Sequence, residues 1–315
     1  MGEFDLIARF FTRPCHRAVL GVGDDCALLQ PTPGMQLAIS TDMLVCGQHF
    51  FADVDPVSLG HKALAVNLSD LAACGATPWA FTLALALPES NPAWLGAFAQ
   101  GLFALADLHD CDLIGGDTTR GPLTINITIF GETLPGQALL RSGAQLGDDI
   151  YVSGTLGDAR LALEALQGKI SLPEDHLAQA RLRLEQPTPR ITLGLALRGI
   201  ATAAIDVSDG LLGDLQHLLD RSQRGASLHT QALHNLMLID GHPLHYVLAG
   251  GDDYELVFTA PVSQRAAVAT AALNSGTRVT RIGQTEKATG IRLLDAQGAL
   301  LDGNFASFDH FKAAG

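Results

Sequence analysis

The sequence predicts two α/β domains of similar size, and three observations carry that expectation. Strand-like and helix-like segments alternate through the first half of the chain, the alternation breaks at Leu134-Pro135-Gly136, and it restarts with a new strand at Asp149. With 315 residues, 47% of them hydrophobic and 17% charged, the chain is long enough to bury two cores. The boundary is therefore expected near residue 136, dividing the chain into 1–136 and 137–315.

In the first half, Gln36 to Thr41 and Phe81 to Leu87 are short apolar runs bounded by turns and read as strands. Pro56 to Cys74 and Pro92 to Leu108 have helical length and apolar spacing, each with Pro at the start, where its missing N–H costs nothing. Leu123 to Gly131 alternates apolar and polar residues as a half-exposed strand does. In the second half a strand at Asp149 to Ser153 leads through Gly-Thr-Leu-Gly into a helix from Asp158 to about Gln167. After the Pro187-Thr188-Pro189 hinge come a helix and a short strand, Ala203 to Ile205. Tyr254 to Thr259, Val262 to Leu273, Arg278 to Ile282 and Ile291 to Leu294 then read as strand, helix, strand, strand.

The formal net charge of −13 argues against a nucleic-acid partner, because phosphate-backbone affinity needs a basic stripe and the 20 Lys and Arg residues form none. The most apolar region, Leu64 to Leu87, is interrupted by Asn67, Asp70, Gly75 and Pro78, so no membrane span is expected. The first residues, Met1 to Asp5, carry acids where a signal peptide needs Lys or Arg. Cys15, Cys26, Cys46, Cys74 and Cys111 are odd in number and never spaced Cys-x-x-Cys, which indicates neither a disulfide framework nor a zinc site. A cytoplasmic location is the expectation.

Acid-bearing turns dominate the rest. Gly21-Val22-Gly23-Asp24-Asp25, Ser40-Thr41-Asp42, Asn67-Leu68-Ser69-Asp70, Gly115-Gly116-Asp117-Thr118, Asp206-Val207-Ser208-Asp209-Gly210 and Gly250-Gly251-Asp252-Asp253 each set a carboxylate beside Gly or Ser, where a side chain can reach a ligand. Gathered carboxylates repel one another unless a cation neutralises them, so the layout points to a hard divalent ion with oxygen ligands, Mg²⁺ above all, and Mg²⁺ usually accompanies phosphate.

Each motif also has a plainer reading. Asp24 and Asp25 are equally readable as solvated surface; Ser40-Thr41-Asp42 is expected at the carboxyl end of a strand, where it serves a ligand or a helix N-cap. Asp70 shares a helix face with Ala63, Asn67 and Cys74 amid apolar neighbours, so its charge needs a metal or a buried salt bridge. Gly115 to Arg120 is expected as a Gly-rich turn after a short strand. Asp209-Gly210 is expected to begin a helix whose free N–H groups attract phosphate, with Ser208 or Asp209 as the alternative N-cap. Arg141, near the domain junction, is a candidate phosphate contact, and His49, beside Phe50 and Phe51, is either a core histidine or a substrate contact. No Gly-x-x-x-x-Gly-Lys-[Ser/Thr] loop, protein-kinase signature or Gly-x-Ser-x-Gly elbow is present, so ATP, if used, must be held mainly through metals.

Taken in order and spacing, Gly-Val-Gly-Asp-Asp-Cys-Ala, Ser-Thr-Asp-Met-Leu-Val, Asn-Leu-Ser-Asp-Leu-Ala-Ala-Cys-Gly-Ala, Gly-Gly-Asp-Thr-Thr-Arg-Gly, Arg-Ser-Gly-Ala, Asp-Val-Ser-Asp-Gly-Leu and Gly-Gly-Asp-Asp-Tyr-Glu-Leu resemble the bacterial thiamine-monophosphate kinase family over nearly the whole chain. The resemblance implies an aminoimidazole ribonucleotide synthetase-like fold of two α/β domains and a homodimer whose N-terminal sheets pair. It implies Asp25, Ser40, Thr41, Asp42, Asp70, Asp117, Asp206 and Asp209 as the Mg²⁺ shell, and Gly116, Asp117, Arg141 and Ser208 as ATP contacts. It also implies His49, Asp252 and Phe308 as contacts to thiamine monophosphate, and Asp70, Asp117, Asp209 and Arg141 as the catalytic set. Family members usually carry Glu where this chain has Asp252, and often Trp or Tyr in place of Phe308. The implied reaction is transfer of the γ-phosphoryl group of ATP to thiamine monophosphate. Another ATP-dependent enzyme of the same superfamily, of the aminoimidazole ribonucleotide or selenophosphate synthetase type, is the nearest alternative; a metal-dependent phosphohydrolase and a non-enzymatic cation-binding module are more distant.

Overall fold

A computed structural model describes residues 2–239 and 241–301. Its elements begin with a short helix α1 (Glu3–Leu6) that continues as a π-helical turn through Phe11, then β1 (Gln36–Val45), α2 (Pro56–Cys74), β2 (Thr77–Leu87), α3 (Pro92–Leu108), β3 (Asp112–Arg120) and β4 (Thr124–Thr133). There follow β5 (Asp149–Ser153), α4 (Asp158–Leu166), α5 (Glu174–Glu185), α6 (Ile191–Ala196), β6 (Ala203–Val207), α7 (Leu211–Ser222), β7 (Gly225–His229), α8 (Thr230–His234), α9 (His245–Ala249), β8 (Glu255–Ala260), α10 (Arg265–Asn274), β9 (Val279–Glu286) and β10 (Gly290–Leu294). No described helix is long and apolar enough to cross a membrane.

The chain divides into two compact units, one running to Leu71 and from Ala76 to Gly136, the other comprising Ala72–Gly75 and everything from Gln137. The first holds a four-stranded sheet in the order β1-β4-β2-β3, with β2 and β3 parallel and the other pairs antiparallel. Ile125, Ile127 and Ile129 of β4 and Leu83 and Leu85 of β2 are buried at every second position, the period of a sheet with one covered face. The helices α2 and α3 approach each other through glycine: a Cβ at Gly60 would stand 2.1 Å from the Phe98 carbonyl oxygen, and one at Gly101 1.8 Å from that of Val57. The opposite face of β1 leaves Leu37, Ile39 and Met43 exposed.

The second unit is built on a six-stranded sheet, β10-β7-β9-β5-β8-β6, antiparallel except for β10 with β7. Its core gathers Ile150 and Val152 of β5, Leu156, Leu161 of α4, Ile205 of β6 and the inner face of α7, Leu211, Leu215, Leu218 and Leu219.

Two expectations need correction. Ser40, Thr41 and Asp42 lie in the middle of β1, not at its end, because β4 pairs with β1 along its full ten residues and carries the strand through these polar positions. Gly115 to Arg120 is likewise strand, the second half of β3, held by parallel pairing from Thr82 to Leu87 of β2. In the second unit, α5, α8, α9 and β7 add to the elements expected from sequence.

Candidate active site

Two groups of acids stand on the first unit. Strand alternation turns Ser40 and Asp42 of β1 toward α2, where the Ser40 hydroxyl donates to the Asp70 carboxylate and the Asp42 N–H donates to Asn67 Oδ1 at 3.2 Å. Asn67, almost fully buried, is itself aimed by donating Nδ2 to the Ala63 carbonyl one turn back, at 3.0 Å. Thr41 faces the other side of the sheet: its hydroxyl donates to the Ile127 carbonyl at 3.0 Å and accepts from Thr128 Oγ1 at 3.1 Å. The Asp70 charge, which the sequence left needing a partner, thus has one hydroxyl donor built into the neighbouring strand.

The second group lines a cavity of about 780 Å³ walled by Phe4, Ile7 and Phe11 at the N-terminus, by Val22 to Asp25, and by Gly115 to Thr118 of β3. Asp25 and Asp117 both reach this space, together with Gly116. Gly23 has φ 129°, a conformation that admits glycine, and the following Asp25 N–H donates to Asp24 Oδ1 at 3.0 Å. Asp42 and Gly116 occupy one row of the sheet, through Ile127 and Leu83. With three strand spacings between them, their backbones are about 14 Å apart.

In the second unit, β6 delivers Asp206 to a loop that runs through Ser208 and Asp209 into α7. A second loop, before β8, lies against it: the Asp252 N–H donates to the Ser208 carbonyl and the Tyr254 N–H to the Val207 carbonyl, both at 2.8 Å. Asp252 and Tyr254 take positive φ, 60° and 52°, which their bulk disfavours and which these bonds enforce. Glu255, fully buried, anchors the loop's far end, accepting from Ser153 Oγ at 2.6 Å, Arg183 Nη2 at 2.7 Å and Arg190 Nε at 2.7 Å. The adjacent Asp253 accepts the Gly157 N–H at 3.0 Å, and complete burial drives its carboxyl well above the usual carboxylate range.

A helix does start directly after Asp209-Gly210, with Gly210 as its N-cap. Helix α7 begins at Leu211, and the Asp209 N–H is already donated, at 3.0 Å, to the carboxylate of Asp214. Burial above all, with the charges of Asp206 and Asp209 adding to it, pushes the Asp214 carboxyl up to about 7 against the lowering effect of that N–H bond. Asp214 went unread in the sequence although the signal used for Asp70, an acid on an apolar helix face, is present in Leu211, Asp214, Leu215 and Leu218.

The remaining candidates stand apart. Arg141 is exposed and lines a cavity of about 490 Å³ with Leu140, Ser142, His217, Asp220 and Arg221. His49 follows β1, and its Nδ1 accepts the Val45 N–H at 3.0 Å, which assigns the ring proton to Nε2 in the neutral form. Phe308 lies outside the described residues.

Residues 23–133 match the family model for AIR synthase related protein, N-terminal domain. A curated relative, thiamine-monophosphate kinase of Salmonella typhimurium, is 47% identical over 323 aligned positions that cover 98% of each chain. The chain belongs to the thiamine-monophosphate kinase family. The crystal structure of thiamine-monophosphate kinase from Stenotrophomonas maltophilia K279a superposes with a TM-score of 0.82 at 47% identity, covering 92% of this chain and 94% of that one. A solved structure described as AaThiL complexed with AMPPCP and TMP superposes with a TM-score of 0.77 at 30% identity, covering 90% and 89%. Among the described residues no three His, Cys, Asp or Glu side chains form a ready cage, and Mg²⁺ is commonly held by one or two carboxylates, retained waters and the phosphates of a substrate.

Proposed function

We propose that this chain transfers the γ-phosphoryl group of ATP to the phosphate of thiamine monophosphate, giving thiamine diphosphate and ADP by direct in-line displacement. The observation that carries the proposal is the likeness, over nine-tenths of both chains, to a structure described with AMPPCP and TMP. The site chemistry agrees. The attacking phosphate oxygen has its second pKa near about 6 and is ionised at neutral pH, so no general base is required. Asp25, Asp42, Asp70, Asp117, Asp206 and Asp209 would hold Mg²⁺ with Ser40; Thr41, whose hydroxyl faces the other side of the sheet, would join only through its backbone. Bound Mg²⁺ would supply charge neutralisation between the two anions and alignment of the transferring group.

Asp70, Asp117, Asp209 and Arg141 form the catalytic set in this reading. Gly116, Ser208 and Arg141 meet the nucleotide, while His49, Asp252 and Phe308 meet thiamine monophosphate. His49 would offer its Nε2–H as a donor, since Nδ1 is occupied by the Val45 N–H. Residues 1–136 would bind ATP and Mg²⁺ and form the dimer contact, with 137–315 as the second α/β domain. The exposed row of Leu37, Ile39 and Met43 on the open face of β1, with Ile39 60% exposed, supports a homodimer through the first unit's sheet. The same reading assigns a cytoplasmic location and no nucleic-acid or membrane partner.

The test is transfer of label from [γ-³²P]ATP to thiamine monophosphate, with and without EDTA, and with aminoimidazole precursors or selenide as competing acceptors. Label in thiamine diphosphate, lost on chelation, is the expected result. Transfer in metal-free buffer would remove the acidic loops from the mechanism, and label captured on the protein by ATP alone would replace direct transfer with a covalent intermediate.

A further inference from the structure

We infer that Asp214 is a positioning residue of this site: its buried carboxylate takes the backbone N–H of Asp209 and so sets the direction in which Ser208 and Asp209 present their side chains. The inference rests on the proposed phosphoryl transfer for its consequence, and on the ligand-free geometry alone for its cause.

The segment from Val207 to Leu211 has to turn from an edge strand into a helix within three residues, and neither element's own hydrogen bonds hold that turn. On one side it is held by the loop before β8, through the Asp252 and Tyr254 N–H groups on the carbonyls of Ser208 and Val207. Contact there is close enough that a Cβ at Gly251 would stand 2.8 Å from the Ser208 oxygen. On the other side the holder is Asp214. Its carboxylate is 3.0 Å from the Asp209 nitrogen, its own N–H donates to the Gly210 carbonyl at 3.1 Å, and it is 3% exposed. Gly210 between them has φ 109°, and a Cβ there would meet the Ala249 Cα at 2.9 Å, so the turn has no room to relax.

This arrangement reverses ordinary capping. An N-cap side chain stands before a helix and accepts N–H groups from the first turn; here Gly210 offers no side-chain cap, and an acid from inside the first turn reaches back to an N–H ahead of the helix. The stabilisation therefore goes to the loop that carries Ser208 and Asp209.

Asp214→Asn keeps an acceptor oxygen of the same size at the same place; Asp214→Ala removes it. Amide hydrogen exchange of peptides spanning 207–213 in the ligand-free protein reads the positioning directly, and steady-state kinetics reads its use. For Asp214→Ala, exchange in this segment should rise at least about tenfold, the scale of one lost charge-assisted bond, with β5 and β8 still protected, and kcat should fall about thirtyfold or more. For Asp214→Asn, exchange and kcat should both stay within about fivefold of the parent protein. Unchanged exchange in Asp214→Ala would overturn the inference. So would equal losses of kcat in both variants with exchange preserved in Asp214→Asn, since the charge and not the held backbone would then be what matters. If the parent protein fails to phosphorylate thiamine monophosphate while Asp214→Ala still exchanges faster, the proposed function fails and the backbone role stands.

Discussion

Gly116→Ala tests how tightly the second half of β3 is built. A Cβ at Gly116 would lie 1.8 Å from the Leu83 carbonyl oxygen of the paired strand, 2.6 Å from its carbon and 2.9 Å from its nitrogen, and the residue has φ 153°. Carbon and carbonyl oxygen rest about 3.3 Å apart in contact, so β3 must retreat by about 1.5 Å. A backbone hydrogen bond does not survive that movement. Two ladder bonds at about 1 kcal/mol each, with about 1–2 kcal/mol for a disfavoured φ, give a destabilisation of about 3–4 kcal/mol. Asp117, next in the strand, moves with it, so kcat should fall as well. Gly115 is the internal control: no atom lies within 4 Å of a Cβ built there, and Gly115→Ala should cost under about 1 kcal/mol. Both tryptophans, Trp79 and Trp94, belong to the first unit, so their fluorescence during urea unfolding reports on this sheet. Equal costs for the two variants, or a Gly116→Ala protein within 1 kcal/mol of the parent, would refute the steric account.

Asp70→Asn should lower kcat by about a hundredfold at saturating Mg²⁺ with an unchanged urea midpoint, because Asn still accepts from Ser40 but no longer carries charge; a near-normal kcat would take Asp70 out of the site. Asp149 is pulled upward by burial, but hydrogen bonds from Arg265, Arg281 and Gln284 outweigh this and hold its carboxyl at about 2. Its folded value is thus below its unfolded one, so its contribution is present above about pH 4 and is lost as pH falls through about 2. Since both arginines are half exposed, Asp149→Asn should cost about 1–2 kcal/mol at pH 7 in a denaturant titration, and the difference should shrink toward pH 2; a pH-independent difference would refute the linkage. Phe308→Ala should raise KM for thiamine monophosphate several-fold and leave KM for ATP unchanged, as loss of a cation–π face of roughly 0.5–2 kcal/mol would do; equal rises in both would make Phe308 a packing residue.

The helices α2 and α3 were legible to the residue because each combines a leading proline with a long apolar repeat. Helix α5 was not, since its apolar stripe of Leu177, Ala180 and Leu184 is narrow amid charged residues and buries only Ala180 and Leu184. Strand β7, Gly-Ala-Ser-Leu-His, is five residues whose alternation is too short to stand out, and it is made by its neighbours β9 and β10. The Ser40-Thr41-Asp42 stretch looked like the end of a strand because its polarity was read as a turn. In the fold each polar group has a partner there: Thr41 with Thr128, Ser40 with Asp70, and the Asp42 amide with Asn67. Pairing along β4 overrides local composition, and sequence pattern carries no record of which strand will be the neighbour.

The same pairing explains how a site of acids can be aimed without bound ligand. Carboxylates that must act on a cation gain nothing from a general base nearby; they need fixed positions, and repulsion works against fixing them. Neutral and backbone groups take part in fixing them here. Asp70 is met by a serine hydroxyl, the Asp42 backbone by a buried asparagine, and the Asp209 backbone by Asp214. Arginine clusters are present in the protein, but they serve Glu255 and Asp149, outside the motifs assigned to metal and nucleotide. Holding the acids by their backbones and by hydroxyls keeps their charge available.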